Sequence, residues 1–229
     1  MDIAGIGHYF FNLDIIGKSM NLLLSGLLVT LQVAFFVILI GFSTGLILAL
    51  LTTVRMKYVG KTLKILIRIY VDVLRASPYL VLLSLVYFGL PFAGINFSTF
   101  WATVITFSAC LSAFIEENIR AGIEAVDSGQ TEASRSLGLS AFQTMFNVVL
   151  PQALRISIPT LTNRTVAITK ALSMASAIAL PDLLKQARHA QGIFANPSPL
   201  IAAAAIYILL FFPFVRLIMF LEKRWRYDH

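Results

Sequence analysis

The apolar residues of this chain fall in runs long enough to cross a bilayer, near residues 20–51, 65–90, 99–119, 152–180 and 200–221. The hydrocarbon core takes about 20 apolar residues per helix. A helix also satisfies its own backbone donors and acceptors, which lipid cannot do. The chain has 229 residues, of which 58% are hydrophobic and only 13% charged, too few charges to coat a soluble globule around such runs. The expectation is an all-α integral membrane protein, a single transmembrane domain of five spans.

The formal net charge of +7 follows the ends of the apolar runs, the pattern of positive residues on the cytoplasmic side, so it points to topology rather than to nucleic acid. Arg55, Lys57, Lys61, Lys64 and Arg68 mark one end of the first two spans, and Arg135 with Lys223, Arg224 and Arg226 mark later loops on the same face. Five spans then put the N-terminus outside, with Asp2, Asp14 and Lys18, and the C-terminus in the cytoplasm. Trp101 and Trp225 are expected near opposite interfaces. The start, Met1 to Gly5, has neither a basic stretch nor a small-residue cleavage site, so no removable signal peptide is expected.

Within the spans, Gly41, Gly45 and Ala49 repeat every four residues and offer a smooth strip for close helix approach. Lys61, Lys64, Arg68, Asp72 and Arg75 line one face of the next helix, where Arg68, Asp72 and Arg75 can pair. Ser77-Pro78 should interrupt that helix. Two readings stand for Arg75: a cation facing a substrate path at the break, or half of an Asp72–Arg75 pair. Glu116, Glu117 and Arg120 are spaced for structural ion pairing. Arg164 lies 13 positions after Pro151 and Lys170 six further on, about 20 Å and about 29 Å along a helix. An ionisable residue at the depth of Arg164 is a functional candidate. Cys110, the single cysteine, reads as a buried thiol. His189 has no partner at ligand spacing and reads as a surface residue, so no metal site is expected.

The longest cytoplasmic loop, about 121–150, reads as two short helices around a glycine. Asp127 can cap the first, with Gln130 three residues on; Gly138 can end it in a left-handed turn; Ser140 and Gln143 form a capping-box pattern for the second, which Pro151 should limit. Arg135 is the loop's single basic residue, so the helix pair suits a protein contact and not nucleic acid.

Glu132-Ala133-Ser134, Gly138 and Leu150-Pro151 resemble the EAA motif of ABC importer permeases. Gly26-Leu27-Leu28-Val29-Thr30-Leu31-Gln32, Arg75-Ala76-Ser77-Pro78, Pro151-Gln152-Ala153-Leu154-Arg155 and Leu161-Thr162-Asn163 are similar to the polar amino acid branch of that family. The resemblance implies a type I importer permease fold in a bacterial inner membrane. It further implies a cytoplasmic ABC ATPase dimer docked on Glu132, Ala133, Leu137 and Gly138, a second permease (the same or a related chain) and an extracytoplasmic amino acid-binding protein. ATP and Mg would bind the ATPase, leaving this chain without cofactor or catalysis. Gly17-Lys18-Ser19 ends like a phosphate loop, but Asn12 stands where its leading glycine is required.

Two departures bear on the cargo. The family commonly has Gln or Glu after Asn163 and Asp after Lys170; here Arg164 and Ala171 stand there. A cation without its usual acidic neighbour favours a carboxylate on the substrate, which arginine can grip with two parallel bonds. Arg164, Asn163, Arg75 and Lys170 are the expected substrate-binding residues, and the expected cargo is an acidic amino acid or a carboxylated derivative. The alternatives are neutral or basic amino acids, an Arg164 paired to an acid on a partner permease, or an ion-coupled secondary transporter, although no internal repeat is evident.

Overall fold

A computed structural model describes residues 9–53 and 60–226, with side chains beyond 216 and that of 214 excluded. Asp2, Arg55 and Lys57, and the side chains of Lys223, Arg224, Trp225 and Arg226, lie outside what is described. The described residues are helical and contain no strand.

Helix α1, Leu13–Thr53, carries Gly26, Gly41, Gly45 and Ala49 on its buried stripe. It packs along α4, Thr99–Glu124, the most enclosed helix of the fold. The small-residue strip works as expected: a Cβ on Gly41 would lie 2.9 Å from the Cβ of Leu111, and one on Gly45 would lie 2.7 Å from the Ser112 carbonyl. A second close approach joins α4 to α7, Leu150–Ala171, where a Cβ on Gly122 would stand 2.7 Å from the Ala153 carbonyl. Phe107, Leu111, Ile115 and Ile119 fill the centre of the core from α4. Cys110 is buried there, as read from its apolar run. Because α1 already begins at Leu13, Gly17-Lys18-Ser19 is helical, and Lys18 pairs with Asp14 at 2.5 Å one turn back.

The second apolar run is not one straight span. Helix α2, Lys61–Ala76, stops at Ser77-Pro78, and the chain turns by 107° into α3, Tyr79–Ser84, which continues as wider and then tighter turns to Ala93. Ser77 is extended at φ −90° and ψ 139°, the geometry a following proline imposes.

Pro151 departs from expectation, since it does not end a helix. The chain is helical from α6, Ala141–Thr144, through the π-turn Met145–Val149 and on to Ala171. The Leu150 N–H reaches back five residues to Met145, and this extra residue relieves the clash a proline ring makes with the preceding turn. The same arrangement precedes Pro91, where Leu90 N–H bonds to Leu85.

The segment between the last two apolar runs is partly helical: Asp182 caps α8, Leu183–Phe194, through the Lys185 N–H at 2.8 Å, and His189 is exposed, as its lack of a partner at ligand spacing suggests. Helix α8 packs on α1, with the Gly26 position against the Asp182 carbonyl. Helix α9, Ser198–Arg226, closes the described chain. By length and composition α1 and α4 can each cross a membrane alone. Residues 61–93 and 141–194 qualify only as bent pairs, and Ser198–Pro213 is a shorter apolar segment.

Candidate substrate path and coupling helix

The breaks and close packing bring charged residues from three helices to one turn of α4. Phe114 is buried, 8% exposed, between Ala113 and Ile115, which are fully buried. The centre of its ring lies 4.9 Å from the Arg164 guanidinium of α7 and 5.7 Å from that of Arg75 of α2. Such distances are those of cation–π contacts.

The two arginines differ in what else they touch. Arg75 is ion-paired to Glu117, one turn after Phe114. The expected pairing of Arg75 with Asp72 along α2 is therefore not what forms, because the end of α2 leans on α4 and a carboxylate there is closer. Arg164 has an exposed side chain and, among the described residues, neither a hydrogen bond nor an ion pair. Asn163 beside it is also exposed.

Further along α4 the expected ion pairing of Glu116, Glu117 and Arg120 is present and larger than its spacing suggests. Arg120 lies 3.1 Å from Glu124, 3.6 Å from Glu116 and 4.0 Å from Glu117. Glu116, 1% exposed, accepts from the Thr52 hydroxyl at 2.8 Å, and the Lys64 ammonium donates to the Thr52 carbonyl at 2.7 Å. One network thus ties the ends of α1, α2 and α4 together.

Lys170 is not brought to this cluster. Six residues beyond Arg164 it faces α9, its ammonium 5.7 Å from the Phe211 ring. There it borders a recess of about 390 Å³ with Ser173, Tyr207 and Phe212.

The helix pair in the loop forms largely as its caps dictate. Helix α4 extends to Glu124, so the loop proper starts later than residue 121. Asp127 opens α5, Ser128–Ser136, by accepting from the Gly129 N–H at 2.7 Å rather than from Gln130. Gly138 has φ 86°, a conformation glycine alone adopts without strain. Ser140 and Gln143 complete a reciprocal capping box. Ser134 is buried and donates to the Thr144 hydroxyl at 3.1 Å, while Arg135 donates to the Leu139 carbonyl at 2.7 Å. These bonds lock α5 against α6 and leave Glu132, Ala133, Leu137 and Gly138 exposed, Leu137 at 82%. Phe142 is exposed beside them and packs on Phe146.

Phe114 and Thr52 are participants that sequence reading missed, as is the choice of Arg75 as a partner for Glu117. Phe114 sits in an apolar run with nothing to mark it, and the 64-residue separation of Thr52 from Glu116 leaves no local spacing to read.

The loop thus presents a capped, solvent-facing helix pair beside a bundle whose second apolar run is broken at Ser77-Pro78. Residues 41–227 match the family described as binding-protein-dependent transport system inner membrane component. The chain belongs to this family, whose members are transport components of the membrane. Its place within it is among the ABC transporter permeases for amino acids. It is 37% identical over 180 residues to a probable amino-acid ABC transporter permease protein, YckA, of Bacillus subtilis (strain 168), covering 79% of this chain and 78% of that one. It is 34% identical to a probable glutamine ABC transporter permease protein, GlnP, of the same organism, covering 87% and 92%. The crystal structure of an amino acid ABC transporter with histidines superposes with a TM-score of 0.81 at 37% identity, over 90% of this chain and 95% of that one. The inward-facing MetNI methionine ABC transporter shares the fold, with a TM-score of 0.69 at 22% identity over 89% and 98%.

Proposed function

We propose that this chain is a five-span permease of a bacterial inner membrane, N-terminus outside and C-terminus in the cytoplasm, that imports an amino acid carrying an extra carboxylate. The observation that carries the cargo reading is Arg164: an exposed guanidinium held against Phe114 that makes no ion pair among the described residues. A carboxylate supplies the acceptor its donors lack. Arg75, neutralised by Glu117, contributes shape and donors rather than net charge. Asn163 flanks Arg164, and Lys170 serves a second point along the path.

Transport is driven from outside the chain. A cytoplasmic ABC ATPase dimer, which holds ATP and Mg, receives α5 through Glu132, Ala133, Leu137 and Gly138. Its closure rocks this permease against a second one, the same or a related chain, while an extracytoplasmic binding protein delivers the amino acid. The permease itself holds no cofactor.

The exposed, uncharged Asn163 and the names of relatives, glutamine for one and arginine for another of Bacillus subtilis at 35% identity over 82% of this chain, favour a second reading. In it the cargo is neutral or basic, and Arg164 meets an acid of the partner permease. Uptake by the assembled complex in liposomes separates the readings. Acidic amino acids should be accumulated with ATP and binding protein present, and the permease without its ATPase should accumulate nothing. Accumulation driven by an ion gradient alone would overturn the importer reading, and uptake confined to glutamine or arginine would overturn the carboxylate.

A further inference from the structure

Phe114 contacts both arginines of the cluster, but only one of them depends on it. Arg75 has the ring and the Glu117 carboxylate. Arg164 has the ring alone among the described residues. We propose that Phe114 is a positioning residue for substrate selection, holding the Arg164 guanidinium in place with its hydrogen-bond donors unspent; this rests on the reading of Arg164 as a substrate contact.

The physical case has three parts. First, the platform is rigid: Phe114 is packed in the main core between fully buried neighbours, so its ring cannot swing away with the side chain it supports. Second, a ring face attracts a cation without accepting its N–H bonds in the way a carboxylate does, so the arginine is steadied yet still able to bond a ligand. Steadying a long side chain before binding lowers the ordering cost at binding. Third, Glu117 lies one turn from Phe114 on the same helix. Without the ring, Arg164 would be free to seek that carboxylate and lose the uncompensated charge on which selection of an anion depends.

The test uses the complete complex in liposomes, with labelled glutamate, glutamine and arginine, following whichever the wild type carries. Phe114→Met keeps an apolar side chain and removes the ring; Phe114→Tyr keeps the ring. The expected result is a KM raised between about twofold and about thirtyfold by F114M, a maximal rate per assembled complex close to wild type, and recovery in F114Y. Combined with Arg164→Gln, F114M should add nothing further. Fluorinated phenylalanines at position 114, nearly the same shape but with a weakened ring face, should raise KM progressively with fluorine content, and they serve if F114M does not assemble. An unchanged KM across the fluorinated series, or an F114M effect equally large in the R164Q background, would overturn the role of Phe114. A wild-type KM in R164Q alone would instead remove Arg164 from the substrate, and this inference with it.

Discussion

A Cβ on Gly45 would stand 2.5 Å from the Cβ of Ile115, closer than any real side chain tolerates, so α1 and α4 meet with nothing but hydrogen between backbone and core. Gly45→Val should therefore force the helices apart. A loss of about 1–3 kcal/mol is expected for overpacking of this kind, read as a lower midpoint of thermal unfolding in detergent. Gly17→Ala, where a Cβ meets nothing within 4 Å, should leave the midpoint where it is. Equal behaviour of the two variants would contradict close packing at the seam.

The proposed coupling surface calls for a different kind of variant, because its residues are exposed. Glu132→Lys and Leu137→Asp should leave the permease folded and inserted while abolishing substrate-stimulated ATP hydrolysis by the complex. Ser134→Val acts from beneath: losing the bond to Thr144 should cost about 1 kcal/mol and weaken coupling less. The check is ATPase activity of purified complexes alongside co-purification of the ATPase; full stimulation in L137D would contradict docking through α5.

How far these features could be read from sequence divides by range. The caps at Asp127, Gly138 and Ser140 with Gln143, the Gly41–Gly45–Ala49 strip and the break at Ser77-Pro78 are local signals in which neighbouring residues decide the geometry, and each has its structural counterpart. The Arg75–Glu117 pair depends on which end of α2 leans on α4, and spacing along one helix pointed instead to Asp72. Pro151 lies inside a helix instead of limiting one for a related reason. Its cost within a helix is set by the turn before it, and the π-turn Met145–Val149 absorbs that cost. Nothing in the spacing around Arg164 marks the ring that holds it, which comes from another helix.

The ion pair itself can be weighed. Arg75 and Glu117 are each about one-third exposed, so solvent screening limits what they contribute. A double-mutant cycle with Arg75→Met and Glu117→Gln should give a coupling of about 0.5–1 kcal/mol. A coupling of zero would mean that α2 is held to α4 without this pair, by the packing of Ile67, Val71 and Ala113 and by the Tyr70 hydroxyl, 2.8 Å from that of Ser112.

Cys110 gives a chemical check on the core. Fully buried on α4, it should resist a maleimide in the assembled complex and react promptly once the complex is denatured, followed by mass. Fast labelling in the native state would contradict the placement of that face of α4 against its neighbours.

If Arg164 selects cargo by charge, the relative uptake of glutamate, glutamine and arginine must change between complexes carrying wild-type permease and those carrying Arg164→Glu. Wild type should prefer glutamate, and the reversal should shift preference toward arginine, with loss of glutamate uptake by at least about tenfold, as expected when an attractive charge pair becomes repulsive. An unchanged order of preference in R164E would contradict selection by charge and leave Arg164 as a contact between permeases.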